Sequence, residues 1–470
     1  MRARSLAEVA AAVGGRIDPP GAGAVVVRGV SIDSRLVRAG DLFVALAGER
    51  ADGHAFVGDA LANGAAAALV RDRPGAARPV VVVEDPGGAL LALASDERTS
   101  MRATVVGITG STGKTTTKDF TEAVLGGPPR AVASRESFNN EVGLPLTLLA
   151  ASEETEVVVC EMGSRGPGHI RRLCEVARPS IGVVTNVGVA HMELFGSPEV
   201  LREAKAELVD ALPEEGVAVL NADDPVASGF AKRARAAVLR YGASPDAAVR
   251  ALDIEVSPMT GAASFDLLTP SGRARVTLRV PGEHMVSDAL AAAAVGYTLG
   301  VEAGEAAARL GEARVSGGRM EVLETSDGIR LVNDAYNANP TSVAAALRSV
   351  RWMTGTGRGR FVAVLGPMAE LGPIAREEHD RVGELLARIG VDLLVTVGPE
   401  GELIARGAER EGLEPERIVR CAGADEAIDA LRAAVRPGDV VLVKASRVAR
   451  LERIVQALRH APAGAGSAEA

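Results

Sequence analysis

Thr104-Val105-Val106-Gly107-Ile108-Thr109-Gly110-Ser111-Thr112-Gly113-Lys114-Thr115-Thr116-Thr117 is the stretch on which the fold turns. The apolar run Val105–Ile108 has the length of a buried strand, and a helical pattern begins at Thr117. Between them lies a loop of small residues ending in Lys-Thr. Such a loop turns its backbone N–H groups inward onto phosphate oxygens at the start of a helix. Lys114 then reaches the β- and γ-phosphates, and the Thr115 hydroxyl ligates Mg²⁺. Gly110, Ser111, Thr112, Gly113, Lys114, Thr115 and Thr116 are the expected nucleotide-binding residues. The first glycine of the common G-x-x-x-x-G-K-[ST] pattern is absent, because Ile108 stands there.

Working outward, apolar runs of about five residues alternate with longer helical patterns, the rhythm of β-α units around a parallel sheet. The runs are Val105–Ile108, Val157–Cys160, Ile181–Val184 and Val217–Leu220. From Leu252 to Val280 the pattern becomes alternating and is split by Gly and Pro, which predicts an antiparallel meander appended to the sheet. An Ala-rich helix is expected at about Val286–Leu299. After Ser316-Gly317-Gly318 the β-α rhythm restarts at Arg330–Val332, Phe361–Leu365, Leu393–Val397 and Val440–Val443, predicting a further open α/β sheet. Before Thr104, short apolar runs such as Ala24–Val27 and Val80–Val83 lie between Gly/Pro-rich turns. The polar stretch Ser95-Asp96-Glu97-Arg98-Thr99-Ser100 reads as a linker, and the tail Ala461–Ala470 as disordered.

Bulk properties fit this organisation. A chain of 470 residues is long for one core, so two or three domains are expected. With aromatics at 3%, the cores must be built from Ala, Val and Leu. A net charge of −9 argues against nucleic acid as a partner, so any anionic ligand must meet a local site. The three cysteines form no C-x-x-C pair, and no stretch reaches the roughly 18 apolar residues of a spanning helix. The expectation is a cytoplasmic protein with no membrane span, with a monomer as the default. Only five lysines occur, Lys114, Lys118, Lys205, Lys232 and Lys444, in a chain whose habitual cation is Arg. A lysine here is therefore somewhat more apt to be present for its own chemistry.

Polar residues recur just past the strands, where open α/β sheets bind ligands. Glu161 ends the run Val157–Cys160, and His191 lies in Thr185-Asn186-Val187-Gly188-Val189-Ala190-His191. Both are candidates for the Mg²⁺ site, which favours hard oxygen ligands. The plainer alternatives are a helix-capping carboxylate and a surface-loop imidazole. Lys205, in Glu203-Ala204-Lys205-Ala206-Glu207, reads on residue logic alone as a solvated salt bridge.

Together these segments resemble the Mur ligases of bacterial cell-wall synthesis over nearly the whole chain. The loop at Thr109–Thr117 is similar to that family's T-G-[ST]-x-G-K-[TS] variant, which accounts for the missing glycine. Asn333-Asp334-Ala335-Tyr336-Asn337-Ala338-Asn339-Pro340 resembles the D-x-Y-N-A-N-P motif of the branch that adds D-alanyl-D-alanine. Gly366-Pro367-Met368-Ala369-Glu370-Leu371-Gly372 with His379, and Val443-Lys444-Ala445-Ser446-Arg447, are similar to later motifs of that branch. Four positions depart from it. Met285 and Asp288 stand where asparagines are usual, Pro367 replaces an aspartate, and Ala445 replaces a glycine.

The resemblance implies an α/β fold of three domains. These are a small N-terminal α/β substrate domain (1–100), a central P-loop parallel-sheet ATPase domain (101–314) and a C-terminal Rossmann-like α/β domain (315–470). It implies an ATP- and Mg²⁺-dependent amide ligase that joins D-alanyl-D-alanine to UDP-N-acetylmuramoyl-tripeptide through an acyl phosphate. Lys114, Glu161, His191 and Lys205 become the catalytic set. Thr115, Glu161, His191 and Lys205 as a carbamate become the metal set. Arg319 and Asp334 would serve ATP. Ser31, Asp33, Ser34 and Arg35 would serve the uridine nucleotide, Asn139, Asn140 and Glu141 its peptide arm, and Tyr336, Asn337 and Asn339 the third-domain side of the cleft. Competing readings are another amide ligase of this architecture, such as a folylpolyglutamate synthase, and a nucleotide-dependent switch that makes no product.

Overall fold

The structure is a computed structural model that describes residues 1–48, 51–72, 75, 79–188, 192–354 and 359–459. Three main sheets follow one another along the chain. The first has five strands in the order Arg16–Asp18, Val80–Val82, Ala67–Val70, Asp41–Val44, Gly29–Ser31, all parallel except for the first pair.

The central sheet has nine strands. Thr104–Thr109 lies in its middle, flanked in parallel by Val157–Glu161 and Ile181–Val184. The chain leaves Thr104–Thr109 for the edge strand Ala131–Ala133, returns through Val157–Glu161, then crosses to Ile181–Val184 on the other side. Winding reverses there, which opens a crevice beyond the carboxyl ends of the strands. Val157–Glu161 is buried at all five positions, as expected for a strand covered on both faces. The expected meander is present as Val249–Val256, Ala262–Thr269 and Gly272–Pro281, paired antiparallel and extending the sheet.

The Ala-rich helix Met285–Thr298 packs against the phosphate-loop helix Lys114–Val124. Small residues permit the close approach: a Cβ on Gly296 would come within 2.5 Å of Val124 Cγ1. This contact shows how a core poor in aromatics is filled, by bringing backbones together rather than by large side chains.

The third sheet runs Glu321–Glu324, Arg330–Asn333, Val440–Lys444, Phe361–Leu365, Leu393–Val397, Ile418–Cys421. Its two edge strands, Glu321–Glu324 and Ile418–Cys421, were not expected from the sequence. Edge strands face solvent on one side, and these carry Glu and Arg among their apolar residues instead of a continuous apolar run. The chain reaches this sheet through Ser316, which is tied to the phosphate-loop helix. Asp119 accepts from the Ser316 backbone N–H at 2.7 Å and from its hydroxyl at 3.2 Å.

The expected linker Ser95–Ser100 is instead the last part of the helix Pro86–Ser100. Its polarity serves pairing. Glu97 is buried, accepts from the Arg2 backbone N–H at 2.9 Å and lies 3.5 Å from the Arg4 guanidinium, while Arg98 Nε donates to the Ala177 carbonyl at 2.8 Å. The tail at 461–470 lies outside the described residues. Among the described residues, no helix is long and apolar enough to cross a membrane.

Candidate active site

The phosphate loop is fixed by the neighbouring strand end. Thr185 Oγ1 donates to the Thr112 carbonyl at 2.6 Å, and Asn186 Oδ1 accepts from the Thr112 N–H at 2.9 Å. The Ser111 N–H donates to the Asn186 carbonyl at 3.0 Å. Gly113 starts the helix with φ +79°, and a Cβ there would lie 2.2 Å from Asp288 Oδ1, so both backbone and space require glycine. Lys114 Nζ donates to the Gly110 carbonyl at 2.8 Å and to the Ser111 carbonyl at 3.4 Å. Burial lowers its pKa; Glu161 opposes the shift and Arg319 adds to it.

Glu161 projects from the end of its strand into this loop. Its Oε2 accepts from Thr115 Oγ1 at 2.8 Å, and its Oε1 from Asn139 Nδ2 at 2.8 Å. Lys205, on the helix Pro198–Asp210, lines the same cavity. It is 1% exposed and makes no hydrogen bond or ion pair with any described residue, which replaces the solvated salt bridge read from its neighbours. Burial pushes its pKa well down, the Lys114 charge adds to this, and Glu161 and Glu207 oppose it. His191 lies outside the described residues.

Among the described residues, no group of three or more His, Cys, Asp or Glu could enclose a metal ion. Mg²⁺ binds through one or two carboxylates and substrate phosphates while keeping several waters. The hydrogen-bonded Thr115 and Glu161 oxygens, in the cavity that Lys205 also lines, are hard donors of the kind such an ion takes.

The third sheet supplies the opposite wall. Lys444, ending the strand Val440–Lys444, donates to Asp334 Oδ2 at 2.5 Å and to the Asn337 carbonyl at 2.9 Å. Asp334 Oδ1 also accepts from the Met320 N–H at 3.2 Å. Arg319 Nη2 donates to Ser137 Oγ at 3.0 Å, and its guanidinium stands 4.3 Å from the Tyr336 ring centre. Asn339 Oδ1 accepts from the Ser342 N–H at 2.9 Å, capping the helix that begins at Pro340, and Asn337 Oδ1 accepts from the Ala338 N–H at 2.9 Å. Both asparagines therefore act as turn caps while also facing the cleft.

One cavity of about 560 Å³ gathers these groups. Ser111 to Thr116, Glu161 and Lys205 line it from the central sheet, and Arg319, Asp334, Tyr336, Asn337 and Asn339 from the third. Asn139 and Asn140 line it as well. Gly110 does not, and contributes its carbonyl to Lys114. Glu141 is also absent from the wall; it lies 2.9 Å from His169 Nε2, and His169 does line the cavity. A second cavity, of about 1330 Å³, holds Ser31, Asp33, Ser34 and Arg35 with Arg135 and Phe138. There the Arg35 side chain and N–H bonds hold the Asp33 pKa down at about 2.

The sequence reading missed Ser137, Arg165, His284 and Ser342 in the main cavity. None stands in a spacing that announces chemistry, although Ser137 lies two residues before Asn139. Burial lowers the His284 pKa to about 4, so its ring is neutral at pH 7.

Burial likewise raises Asp288 to about 8, against bonding from Thr117 (Oγ1 to Oδ1, 3.2 Å) and the charge of Arg319. The unfolded side chain ionises near 3.8, so the folded state holds an extra proton between the two values. The contribution of Asp288 to stability is thus fully present below about pH 4 and is lost as pH rises through about 8. Asp288→Asn is expected to melt higher than the parent at pH 8–9, with the gap closing toward pH 4. Thermal unfolding of both across that range checks this, and parallel melting curves would contradict it.

Three family models match the chain: the Mur ligase family catalytic domain at residues 26–98, the Mur ligase middle domain at 108–296, and the Mur ligase glutamate ligase domain at 318–447. A UDP-N-acetylmuramoyl-tripeptide–D-alanyl-D-alanine ligase of Mycobacterium bovis is 41% identical, with 97% of each chain covered. The Bacillus subtilis protein of the same name is 36% identical, covering 98% of this chain and 99% of its own. The structure superposes on MurF from Acinetobacter baumannii with a TM-score of 0.85 and 28% identity, over 98% of this chain and 100% of that one. A MurF ligase from Thermotoga maritima in complex with ADP gives 0.77 at 31% identity, over 92% and 97%. Phosphate loop, split cleft and full-length similarity agree, and the chain belongs to the Mur ligase family.

Proposed function

We propose that this protein is an ATP-dependent, ADP-forming amide ligase that joins D-alanyl-D-alanine to UDP-N-acetylmuramoyl-tripeptide in peptidoglycan precursor synthesis, acting in the cytoplasm. The observation that carries the reading is the single cavity in which Lys114, Glu161 and Lys205 face Arg319, Asp334 and Asn337 across two sheets. We assign residues 1–100 to the UDP substrate, 101–314 to ATP and 315–470 to completion of the ligase site.

In the first step the tripeptide carboxylate attacks the γ-phosphorus of ATP. The bond from that phosphorus to the β–γ bridging oxygen breaks, giving an acyl phosphate and ADP. Charge neutralisation and positioning supply most of the catalysis in such a transfer. Lys114 answers the γ-phosphate charge, and the loop N–H groups of 110–115 hold the phosphates. Thr115, Glu161, His191 and a carbamate on Lys205 would hold Mg²⁺, which when bound neutralises phosphate charge. Asn139, bonded to Glu161, and Asn140 face the tripeptide arm, with Glu141 behind them on His169. Ser31, Asp33, Ser34 and Arg35 take the uridine nucleotide in the larger cavity. Arg319 and Asp334 serve the phosphates and the nucleoside from the opposite wall. The dipeptide amine then attacks the acyl carbon, a tetrahedral intermediate forms, inorganic phosphate leaves, and the amine loses a proton. Tyr336, Asn337 and Asn339 flank that approach. A site split across two sheets excludes water when both walls meet, which protects the acyl phosphate.

The test is ADP release with MgATP and UDP-N-acetylmuramoyl-tripeptide, with and without D-alanyl-D-alanine. Dipeptide-dependent release, with the UDP product heavier by one dipeptide less water, is expected. Turnover with a different amine alone would keep the ligase chemistry and overturn the substrate.

A further inference from the structure

Lys118 is buried on the phosphate-loop helix, 3% exposed, and the proposed chemistry gives it no part. Its ammonium is fully engaged within the protein. It donates to the Ser134 carbonyl at 2.8 Å and to the Glu136 carbonyl at 3.2 Å, and it lies 2.6 Å from Asp119 Oδ1. Three N–H donors meet three acceptors, so none is left over for a ligand. A planar guanidinium fork does not converge on three acceptors around one nitrogen, which suits this position to lysine.

The acceptors lead in two directions. Asp119 also accepts from the Ser316 N–H at 2.7 Å and from its hydroxyl at 3.2 Å, where the chain enters the third sheet. Three residues on, Arg319 donates to Ser137 Oγ at 3.0 Å. Ser137 adjoins Glu136, so the path returns to Lys118. Phosphate-loop helix, third-sheet entry and the segment 134–137 are thus joined in one closed ring.

That segment, continued to 140, divides the two cavities. Arg135, Glu136 and Phe138 line the larger one, whereas Ser137, Asn139 and Asn140 line the smaller. The interleaving depends on the turn at Glu136, whose φ of +49° lies in a region that residues other than glycine rarely occupy. Strain of this kind persists only where neighbours over-determine the conformation. The Lys118 bond to the Glu136 carbonyl is one such constraint, and the Arg319 bond to Ser137 fixes the next residue. The Arg135 guanidinium has no hydrogen bond or ion pair to any described residue and is open to an anion in the larger cavity.

A ligand seated on Arg135 and Phe138 therefore fixes the segment that offers Ser137 to Arg319 and Asn139 to Glu161. A nucleotide in the phosphate loop fixes the helix that carries Lys118 and Asp119. Each ligand orders part of what the other must order, which is a source of positive coupling. We propose that Lys118 is a positioning residue that couples the two cavities, so that the uridine substrate and the nucleotide each tighten the binding of the other. This rests on the ligase reading above, which assigns the two ligands.

The experiment titrates a non-hydrolysable ATP analogue with Mg²⁺ into the full chain, with and without saturating UDP-N-acetylmuramoyl-tripeptide. In the parent the UDP substrate should tighten analogue binding about 10-fold, within the usual range of coupling between sites. Linkage requires the reverse titration to give the same factor. Lys118→Met and Ser137→Ala cut the ring at different points, and each should bring the factor below about 2. A brace that only stabilises the fold would instead lower the melting temperature and leave the factor at its parental value. Should Lys118→Met fail to fold, Ser137→Ala decides. A folded Lys118→Met or a Ser137→Ala protein that keeps the parental factor overturns this inference alone. So does a parent without coupling whose ADP release still depends on the dipeptide. A parent that binds nucleotide but not the UDP substrate overturns the ligase reading and this inference with it.

Discussion

Lys114→Ala is expected to reduce ADP formation by a factor of about 1,000 or more, the upper end of what one transition-state contact supplies. Lys114 is the cation carried by the phosphate loop itself, folded back onto the Gly110 carbonyl at 2.8 Å. Burial lowers its pKa, so the ammonium gains from any anion that enters beside it. A triphosphate in the loop offers the ammonium phosphate oxygens in place of the loop carbonyls. Without the ammonium, the charge that builds on the γ-phosphoryl oxygens loses the one cation that the loop itself supplies. Thr185 and Asn186 still hold the surrounding loop when the Lys114 bonds to the Gly110 and Ser111 carbonyls are lost, so the variant should keep its fold and still bind nucleotide. Single-turnover ADP release beside a nucleotide-binding titration separates the two effects. Full turnover in the variant would remove Lys114 from the chemistry.

Lys205→Arg should be nearly as damaging as Lys205→Ala, with losses of about 100-fold or more, at least the cost of disturbing a metal site's supporting groups. Conservative charge is irrelevant here. Lys205 is 1% exposed, has no hydrogen bond or ion pair to a described residue, and lines the same cavity as the bonded Thr115–Glu161 pair. Burial and the Lys114 charge push its pKa well down, which favours the free amine. A free amine adds to dissolved CO₂: an N–C bond forms, an electron pair moves onto oxygen, and an N–H proton is released. The product is an anionic carbamate, a hard oxygen ligand suited to Mg²⁺. Arginine stays protonated and makes no such adduct. Turnover of the two variants, with ¹³C-bicarbonate NMR of the parent for a carbamate carbon that Lys205→Arg lacks, checks both parts. Parental turnover in Lys205→Arg would sink the carbamate.

The contrast between Lys114 and Lys205 shows what one-dimensional information carries. Lys114 was legible because strand, loop and helix are consecutive, so local spacing fixes its place. Glu161 was legible for the same reason, at the end of a buried strand. Lys205 was not, because Glu203 and Glu207 beside it suggested a solvated helix face, and only packing of that helix against the sheet buries it. The meander, four parallel strands of the central sheet and four of the third were legible from continuous or alternating apolar runs, whereas Ala131–Ala133 and Ala237–Gly242 of the central sheet were not. The two edge strands of the third sheet were not, because their solvent-facing side breaks the apolar run, and the Ser95–Ser100 helical turn was not, because Glu97 and Arg98 serve tertiary pairs that the local pattern does not reveal. The scarcity of lysine was the one compositional clue to the site: Lys114, Lys205 and Lys444 line the cavity, and Lys118 is 3% exposed.

That distribution leaves Lys232, outside the cleft in the short turn Phe230–Lys232, as the one exposed lysine among the five. Amine-directed reagents should therefore find a single ready side-chain attachment point. A fluorophore or surface tether placed there would report on the molecule from a fixed position, without mutagenesis and without a dye in the catalytic cleft.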